Sequence, residues 1–240
     1  MVMYYRVLTF KDSNLIASLH LKSFKGFLLS KLGFKFLNIF YESILKNNDC
    51  IGIGVFKNDF LIGFAIGSKN NNNFYRRILK ENFISFLKVI LVSTIFKPIL
   101  LLRLLISFKS SSNNDMDNEL SSAILLSICV DSSEESKGTG RSLLLRFENL
   151  VFKHVQSIIL TTDAVNNTVV NDFYVKNKYE LSNSFFQGKR LMNNYVKKIM
   201  KIPFCLPLID KDVEKEVLSC LNETGWLTTG PKVKLLEDEI

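Results

Sequence analysis

Cysteine, histidine, proline and tryptophan are all scarce in this chain of 240 residues. The four cysteines, which show no paired spacing, are Cys50, Cys129, Cys205 and Cys220, and the two histidines are His20 and His154. This set cannot form a Cys/His zinc site, so we expect no structural metal and a reducing, cytoplasmic environment. The first residues, MVMYYRVLTF, lack the basic-then-apolar layout of a secretory signal peptide.

Long uncharged apolar runs are also missing, even from the most hydrophobic part of the chain. Residues 74–109 are strongly apolar, but Lys88, Lys97 and Arg103 interrupt them, and the longest uncharged run, Val89–Phe96, has eight residues. A membrane-spanning helix needs about 20 predominantly apolar residues. We therefore expect no transmembrane span here.

The charge of residues 74–109 leaves three interpretations open. Seven Lys/Arg and one Glu in this segment make up more than half of the net charge of +11 carried by residues 1–200. The segment can cover the functional site as packed helices, form a dimer surface, or lie on an anionic membrane face. We favour the first, a helical insertion and loop over residues 74–118. Nucleic-acid binding is not expected, because the cations are sparse among long aliphatic runs.

A strand, a glycine-containing loop and a helix follow one another in residues 123–155. The apolar run Ala123–Val130 breaks into a polar turn that ends in Lys137-Gly138-Thr139-Gly140, and a leucine-rich helical pattern starts at once. The first turn of a helix leaves backbone N–H groups without partners, and these groups favour an anion. Glycines let the backbone come close, and the lysine adds a positive charge. The order of elements therefore predicts a phosphate-binding loop, with an ordinary strand-to-helix turn as the alternative.

The spacing of the glycines separates the known kinds of phosphate loop. The chain has neither the Gly-x-x-x-x-Gly-Lys-Ser/Thr spacing of a P-loop nor the Gly-x-Gly-x-x-Gly spacing of a dinucleotide fold here. Glu135-Ser136-Lys137-Gly138-Thr139-Gly140 instead resembles motif A of the GNAT acyltransferases, in which Arg or Gln, two residues, Gly, one residue and Gly or Ala bind the pyrophosphate of acetyl-CoA. Glu135 stands where that family usually has Arg or Gln.

A second motif lies in register with the first, about 30 residues further on. In DAVNNTVVNDFYVKNKYEL, the residues Asn167, Val170, Phe173, Tyr174 and Tyr179 resemble GNAT motif B, with Lys178 in place of the usual Gly. In that family the Asn helps to hold the pantetheine arm, and the Tyr protonates the departing thiolate. The alternative for Tyr174 is an aromatic residue of the core on an amphipathic helix.

The resemblance implies an α/β GNAT acyl-CoA N-acyltransferase fold over residues 1–200, a mixed central sheet flanked by helices, with the helical insertion between strands three and four. It implies acetyl-CoA as co-substrate and Tyr174 as the catalytic acid. The residues that it implies for cofactor binding, the first two through backbone groups, are Ile128, Val130, Ser136, Lys137, Gly138, Thr139, Gly140, Arg141 and Asn167. The general base stays open: Ile124 stands where related chains often have Glu, Glu119 lies too far back, and His20 or a water chain are the alternatives.

Hydrophobic periodicity predicts the remaining elements. The predicted strands are Tyr4–Phe10, Cys50–Phe56, Phe60–Gly67, Ser157–Thr162, Asn183–Gln187 and Leu191–Lys197, with hairpin turns at Lys57-Asn58-Asp59 and around Gly188. The predicted helices are 12–24, 33–47 and 140–155, together with Asp212–Leu221 near the end of the chain. The two early helices resemble those that line the acceptor side in GNAT proteins associated with surface-polysaccharide enzymes.

The last forty residues differ in charge and in pattern. Residues 201–240 hold five lysines and eight carboxylates. Ile202-Pro203-Phe204, a helix opened by Asp210, and Gly225-Trp226-Leu227-Thr228-Thr229-Gly230-Pro231 resemble the N-terminus of the DegT/DnrJ/EryC1/StrS sugar aminotransferases. The segment ends before that family's Schiff-base lysine, so we expect no pyridoxal phosphate and no aminotransferase activity in it.

The two resemblances together imply consecutive steps in which an amine is placed on a nucleotide sugar and then acylated. The expected function is transfer of an acetyl group from acetyl-CoA to a primary amine, an amino sugar of surface-polysaccharide biosynthesis. The alternative is a degenerate GNAT-like binding or assembly module that partners a sugar aminotransferase.

Overall fold

The computed structural model describes residues 3–70, 77–78, 122–134, 138–199, 211–219, 221–222 and 231–239. The chain divides into two compact units, Met1–Ile199 and Met200–Ile240. The insertion expected over residues 74–118 lies outside the described residues, except for Arg77 and Ile78. Among the residues described, no helix combines the length and the apolar character that a membrane span requires.

The strands of the first unit form one mixed sheet in the order β1-β2-β3-β4-β5-β7-β6. Its strands are β1 Met3–Val7, β2 Cys50–Lys57, β3 Phe60–Ser68, β4 Ser122–Val130, β5 Ser157–Asp163, β6 Glu180–Gln187 and β7 Arg190–Lys198. Neighbouring strands are antiparallel, except that β4 and β5 run parallel. The fold class expected from the sequence, a mixed sheet flanked by helices, is confirmed.

The helices of the first unit lie in the segments that connect the strands of this sheet. They are α1 Ser13–Ser23, α2 Leu28–Lys31, α3 Phe34–Lys46, α4 Thr139–Val151 and α5 Thr168–Lys176. The helix predicted over 140–155 was too long at its end. The chain turns after Val151, whose carbonyl accepts from the amides of His154 and Val155, and this turn leads the chain into β5 with Val155 8% exposed.

Two hydrophobic clusters cover the two faces of the sheet. On one face α1 and α3 pack with the β3 residues Phe64 and Ile66. On the other face α4 contributes Leu143, Leu144, Phe147 and Val151, which recur with the helical period and form its buried stripe. Burial on both faces explains why β2 and β3 are apolar at nearly every position.

Gly67 on β3 permits the close packing of α4 against the sheet. A Cβ atom at this position would lie 2.4 Å from the carbonyl oxygen of Ile124 and 2.5 Å from the ring of Phe147. Neither neighbour can yield easily, because one is backbone and the other is a fully buried ring. The glycine is therefore required by a long-range contact that no local pattern reveals.

The second unit contains two described helices, α6 Lys211–Ser219 and α7 Pro231–Glu239. The first matches the predicted helix, although it begins one residue earlier and ends two residues sooner, and its apolar Val213, Val217 and Leu218 are 41–52% exposed. The second was not predicted. Pro231 occupies its first position, where the missing N–H of proline costs no helical hydrogen bond.

Candidate acyl-CoA site

β4 and β5 separate after a short stretch of pairing. Residues Ser122–Ile124 pair with Ser157–Ile159, but β4 continues to Val130 and β5 continues to Asp163. The outer edges of both strands stay paired, with β3 and with β7. The structure therefore opens a gap, here called the β4–β5 cleft, between residues 125–130 and residues 160–163. On the edge of β4 that faces this cleft, residues 125–130 have no strand partner among the described residues.

The backbone direction of β4 is set by its pairing with β3. The amide of Asp131 donates to the carbonyl of Ile62 at 2.7 Å. Successive residues of a strand direct their N–H and C=O groups to opposite edges, so the groups of Ile128 and Val130 point away from β3 and toward the β4–β5 cleft. The structure thus brings the two predicted strand residues to one place with unpaired backbone donors and acceptors.

The N-terminus of α4 follows the end of β4 at which Ile128 and Val130 lie. Gly138 caps the helix in the left-handed region with φ 104, without a side-chain capping hydrogen bond. The first bond of the helix runs from the Ser142 amide to the Gly138 carbonyl at 2.9 Å. The first-turn amides of Gly140 and Arg141 precede that bond and have no acceptor inside the helix, so they favour an anion.

A Cβ atom added to either of these glycines would find room. A Cβ atom on Gly138 would meet nothing within 4 Å, and one on Gly140 would make only ordinary contacts with Phe173 and Val130 at 3.8 and 3.9 Å. Thr139 is buried and Arg141 is exposed. Glu135, Ser136 and Lys137, which the sequence placed in the same loop, lie outside the described residues.

Asn167 lies at the start of α5 and ties it to the end of β5. Its Nδ2 atom donates to the Thr162 hydroxyl at 2.9 Å and to the Asp163 carbonyl at 3.1 Å. Asn171, one turn later, donates to the same carbonyl at 2.9 Å. Both amide hydrogens of Asn167 are used in this way, so the group that it can offer to a ligand is its Oδ1 atom.

Tyr174 is a buried member of an aromatic cluster. It is 7% exposed, and its ring centroid lies 5.4 Å from Phe173, 5.6 Å from Tyr179 and 5.9 Å from Tyr195. Burial raises the pKa of its hydroxyl, which therefore stays protonated at neutral pH. The packing expected of a core aromatic is present, together with a protonated phenol that can act as an acid.

Lys178 stands where the second motif usually has Gly. It has φ 69, in the left-handed region that a glycine adopts at little cost, and it follows α5 just before Tyr179. A glycine would adopt this conformation at little cost, whereas a lysine adopts it at a cost of about 1 kcal/mol.

His20, one of the candidates for the general base, lies on α1 and packs against α3. It is 5% exposed, its Nδ1 atom lies 2.7 Å from the Tyr41 hydroxyl, and the Phe24 ring lies 4.6 Å away. Burial lowers the pKa of the imidazole to about 4, so the ring is neutral at pH 7. Ile124, which stands where related chains often have Glu, lies on β4, and Glu119 is outside the described residues.

The burial of His20 predicts acid sensitivity. An unfolded histidine titrates near 6.5, so the unfolded state takes up a proton that the folded state refuses until about pH 4. This contribution to stability is complete above pH 6.5 and is lost as the pH falls toward 4, at a cost of about 3 kcal/mol. We expect urea unfolding at pH 7 and pH 4 to show this loss in wild type and not in His20→Gln.

His154→Gln is the control for this measurement, because His154 is exposed. It should keep the wild-type pH dependence. The same change in unfolding free energy between pH 7 and pH 4 in all three proteins would contradict the assignment to His20.

One polar group at the open end of the β4–β5 cleft was missed in the sequence. The Asp163 carboxylate, at the end of β5, accepts from the Arg190 Nε atom at 2.9 Å, and the Arg190 guanidinium lies 5.8 Å from the Phe27 ring. The available signal was an acidic residue at the end of a strand that runs parallel to β4. Its partner Arg190 could not be identified from the sequence, since it comes from β7.

Comparison with solved structures identifies the fold of this chain. No protein-family model matches the chain, and no curated protein matches it by sequence. A solved GNAT-family acetyltransferase from Desulfovibrio desulfuricans superimposes with a TM-score of 0.54 at 12% identity, over 82% of this chain and 99% of the other. PaiA N-acetyltransferase from Thermoplasma acidophilum, solved with coenzyme A, gives a TM-score of 0.51 at 17% identity, over 83% and 100%.

A third solved structure extends the likeness to a protein-modifying enzyme. The ribosomal-protein-S18-alanine N-acetyltransferase from Escherichia coli gives a TM-score of 0.51 at 14% identity, over 86% of this chain and 99% of the other. Identities this low establish the architecture and leave the acceptor unassigned. The described sheet, with its parted parallel strands β4 and β5 and the helix that follows β4, therefore has the GNAT acyltransferase fold.

Proposed function

We propose that the protein is an acetyl-CoA-dependent N-acetyltransferase. The observation that carries this proposal is the β4–β5 cleft, along which the backbone groups of Ile128 and Val130 and the first turn of α4 line one continuous edge. A thioester with a pantetheine arm and a diphosphate needs amide partners along the arm and an anion site at its end. In this proposal Ile128, Val130 and Asn167 hold the arm, and the loop from Ser136 to Arg141 holds the diphosphate.

The reaction is a direct transfer in which the neutral amine of the acceptor attacks the thioester carbonyl. A C–N bond forms, the carbonyl oxygen becomes an oxyanion stabilised by backbone N–H groups of β4, and the C–S bond then breaks. The amine loses one proton to a base or water, and the departing thiolate receives one from Tyr174. Such catalysis consists mainly of positioning and proton transfer.

For the acceptor, we propose a nucleotide-linked amino sugar of surface-polysaccharide biosynthesis. The resemblance of residues 201–240 to a sugar aminotransferase supports this choice, because amination of a sugar produces the amine that acetylation consumes. The net charge of +11 in residues 1–200 suits an anionic acceptor. The same assignment implies a cytoplasmic protein, and it leaves a homodimer or a membrane contact through residues 74–109 as separate predictions.

A second candidate function is a binding or assembly module without catalysis. The features that favour it are Glu135, a carboxylate in the loop where GNAT proteins usually carry Arg or Gln, and Lys178, which replaces the usual Gly of the second motif. A negative charge beside a diphosphate weakens binding unless it points away.

The deciding experiment is titration of the full chain with acetyl-CoA by calorimetry, followed by an acetylation assay against a panel of nucleotide amino sugars and simple amines. We expect saturable binding and turnover of at least one sugar. Binding without turnover of any amine would favour the module, and absence of acetyl-CoA binding would refute both the enzyme and the acyl-CoA site.

The phosphate loop can be tested at Gly140. A valine here would project its side chain from the first turn of α4 into the space beside the amides, while the Cβ atom itself makes only ordinary contacts. We expect Gly140→Val to fold and to bind acetyl-CoA at least about tenfold more weakly. Leu145→Val, an exposed site on the same helix, introduces the same residue away from the loop and should bind normally. Equal affinities of the two variants would end the assignment of the loop.

A further inference from the structure

The carboxylate of Asp131 joins the end of β4 to the start of the proposed phosphate loop. Its Oδ1 atom accepts from the Ser133 amide at 3.0 Å and from the Ser133 hydroxyl at 2.7 Å. The Asp131 backbone amide is also bound, to the Ile62 carbonyl. The direction in which the chain leaves the strand is therefore determined by this one residue.

Lys22, the penultimate residue of α1, binds the other side of the same carboxylate. Its Nζ atom lies 2.6 Å from the Asp131 Oδ2 atom and 3.3 Å from the Ser133 hydroxyl. The Asp131 side chain is 13% exposed and that of Lys22 is 52% exposed. The hydrogen bond from Lys22 is the main reason that the pKa of Asp131 is lowered to about 2, so the carboxylate is charged at any pH at which the protein is used.

A fixed negative charge at this point works against the proposed ligand. Asp131 directly follows Val130, and a Cβ atom on Gly140 would lie 3.9 Å from the Val130 side chain. A diphosphate at the first turn of α4 would therefore be close to Asp131. Like charges repel, so an uncompensated Asp131 carboxylate would weaken the binding of a diphosphate at this point. Lys22 cancels that charge and holds the carboxylate in the orientation that forms the turn with Ser133.

We propose that Lys22 is a positioning residue for acyl-CoA binding: it neutralises Asp131, 109 residues away in the chain, and so links the end of α1 to the end of β4. This inference rests on the proposed function. It assigns Lys22 no contact with the ligand, since its effect passes through Asp131.

The experiment measures acetyl-CoA affinity by calorimetry for wild type, Lys22→Met, Asp131→Asn and the double variant. Lys22→Met leaves a bare carboxylate and should weaken binding about tenfold, with a larger effect at low salt. Asp131→Asn removes the charge but keeps an oxygen that can accept from the Ser133 amide, so it should bind at least as well as wild type. The double variant should recover most of the loss, and Lys22→Arg should bind like wild type.

Lys46→Met is the matched control, because Lys46 forms an ion pair of the same length, 2.6 Å, with Glu42 on α3. It should leave acetyl-CoA affinity unchanged. A double variant as weak as Lys22→Met would show that Lys22 contacts the phosphate itself and would overturn the positioning role. Wild-type binding with an unaffected Lys22→Met would refute this inference alone, whereas failure of wild type to bind would refute the proposed function.

Discussion

The Tyr174→Phe variant is expected to lose turnover by about 10²–10⁴-fold while its affinity for acetyl-CoA stays close to that of wild type. Loss of a general acid typically has an effect of this size. The ring packs against Phe173, Tyr179 and Tyr195, and phenylalanine keeps those contacts. Only the hydroxyl is removed, and burial keeps that hydroxyl protonated at neutral pH by raising its pKa. Steady-state rates and calorimetry on the same preparations measure the two quantities.

Tyr179→Phe is the matched control for this experiment. Its hydroxyl is buried, and its ring lies 5.6 Å from that of Tyr174 in the same aromatic cluster. Its removal should leave turnover unchanged, because the assignment places no proton transfer at Tyr179. If Tyr174→Phe keeps full turnover, or if both variants lose it equally, Tyr174 is not the acid. Unfolding of Tyr174→Phe would show that the residue is structural.

Replacement of Lys197 with Met is expected to destabilise the protein by about 3–5 kcal/mol, because removing one partner of a buried ion pair leaves an uncompensated charge. Lys197 on β7 binds the Glu148 Oε2 atom on α4 at 2.6 Å, and the two side chains are 18% and 4% exposed. The Lys197 Nζ atom also lies 5.4 Å from the centroid of the Tyr179 ring. No other described residue supplies a positive charge to that carboxylate. Denaturant unfolding at pH 7 measures the loss.

A double variant separates the charge from the packing. Glu148→Gln combined with Lys197→Met removes both charges and should recover a large part of the stability, because an uncharged amide is less costly to bury than a lone carboxylate. Lys46→Met, which breaks an exposed pair on α3, should cost no more than about 0.5 kcal/mol. A loss below about 1 kcal/mol for Lys197→Met would contradict the buried-charge argument.

Much of the secondary structure was predictable because it depends on neighbouring residues. The strands β2 and β3 and the turn between them follow from two apolar runs separated by Asn58 and Asp59, which take φ values of 47 and 66. These are the left-handed values that a tight hairpin turn requires and that Asn and Asp tolerate. The short helix α2 was missed, since four residues carry too little periodicity to be recognised.

The candidate site was predictable in part for the same reason. Gly138 caps α4 and Gly140 is its second residue, and the strand that precedes this helix is adjacent in the chain, so their place at the helix N-terminus follows from local order. Asn167 caps α5 and Tyr174 lies within the same helix, so both positions could be predicted from the spacing of the motif. The role of His20 could not be decided, because its burial and its contact with Tyr41 depend on how two helices pack.

The sequence by itself determined most of the strands and helices, the position of the glycines at the N-terminus of α4 and the composition of the two faces of the sheet. These features arise from period, turn chemistry and capping, which act over a few residues. Only the tertiary structure decided that β4 and β5 part after three pairs of residues, that Lys22 meets Asp131, and that Lys197 meets Glu148. Each of these depends on the twist of the sheet and on the packing of distant segments, and the energy of a contact between distant residues leaves no periodic trace in the chain.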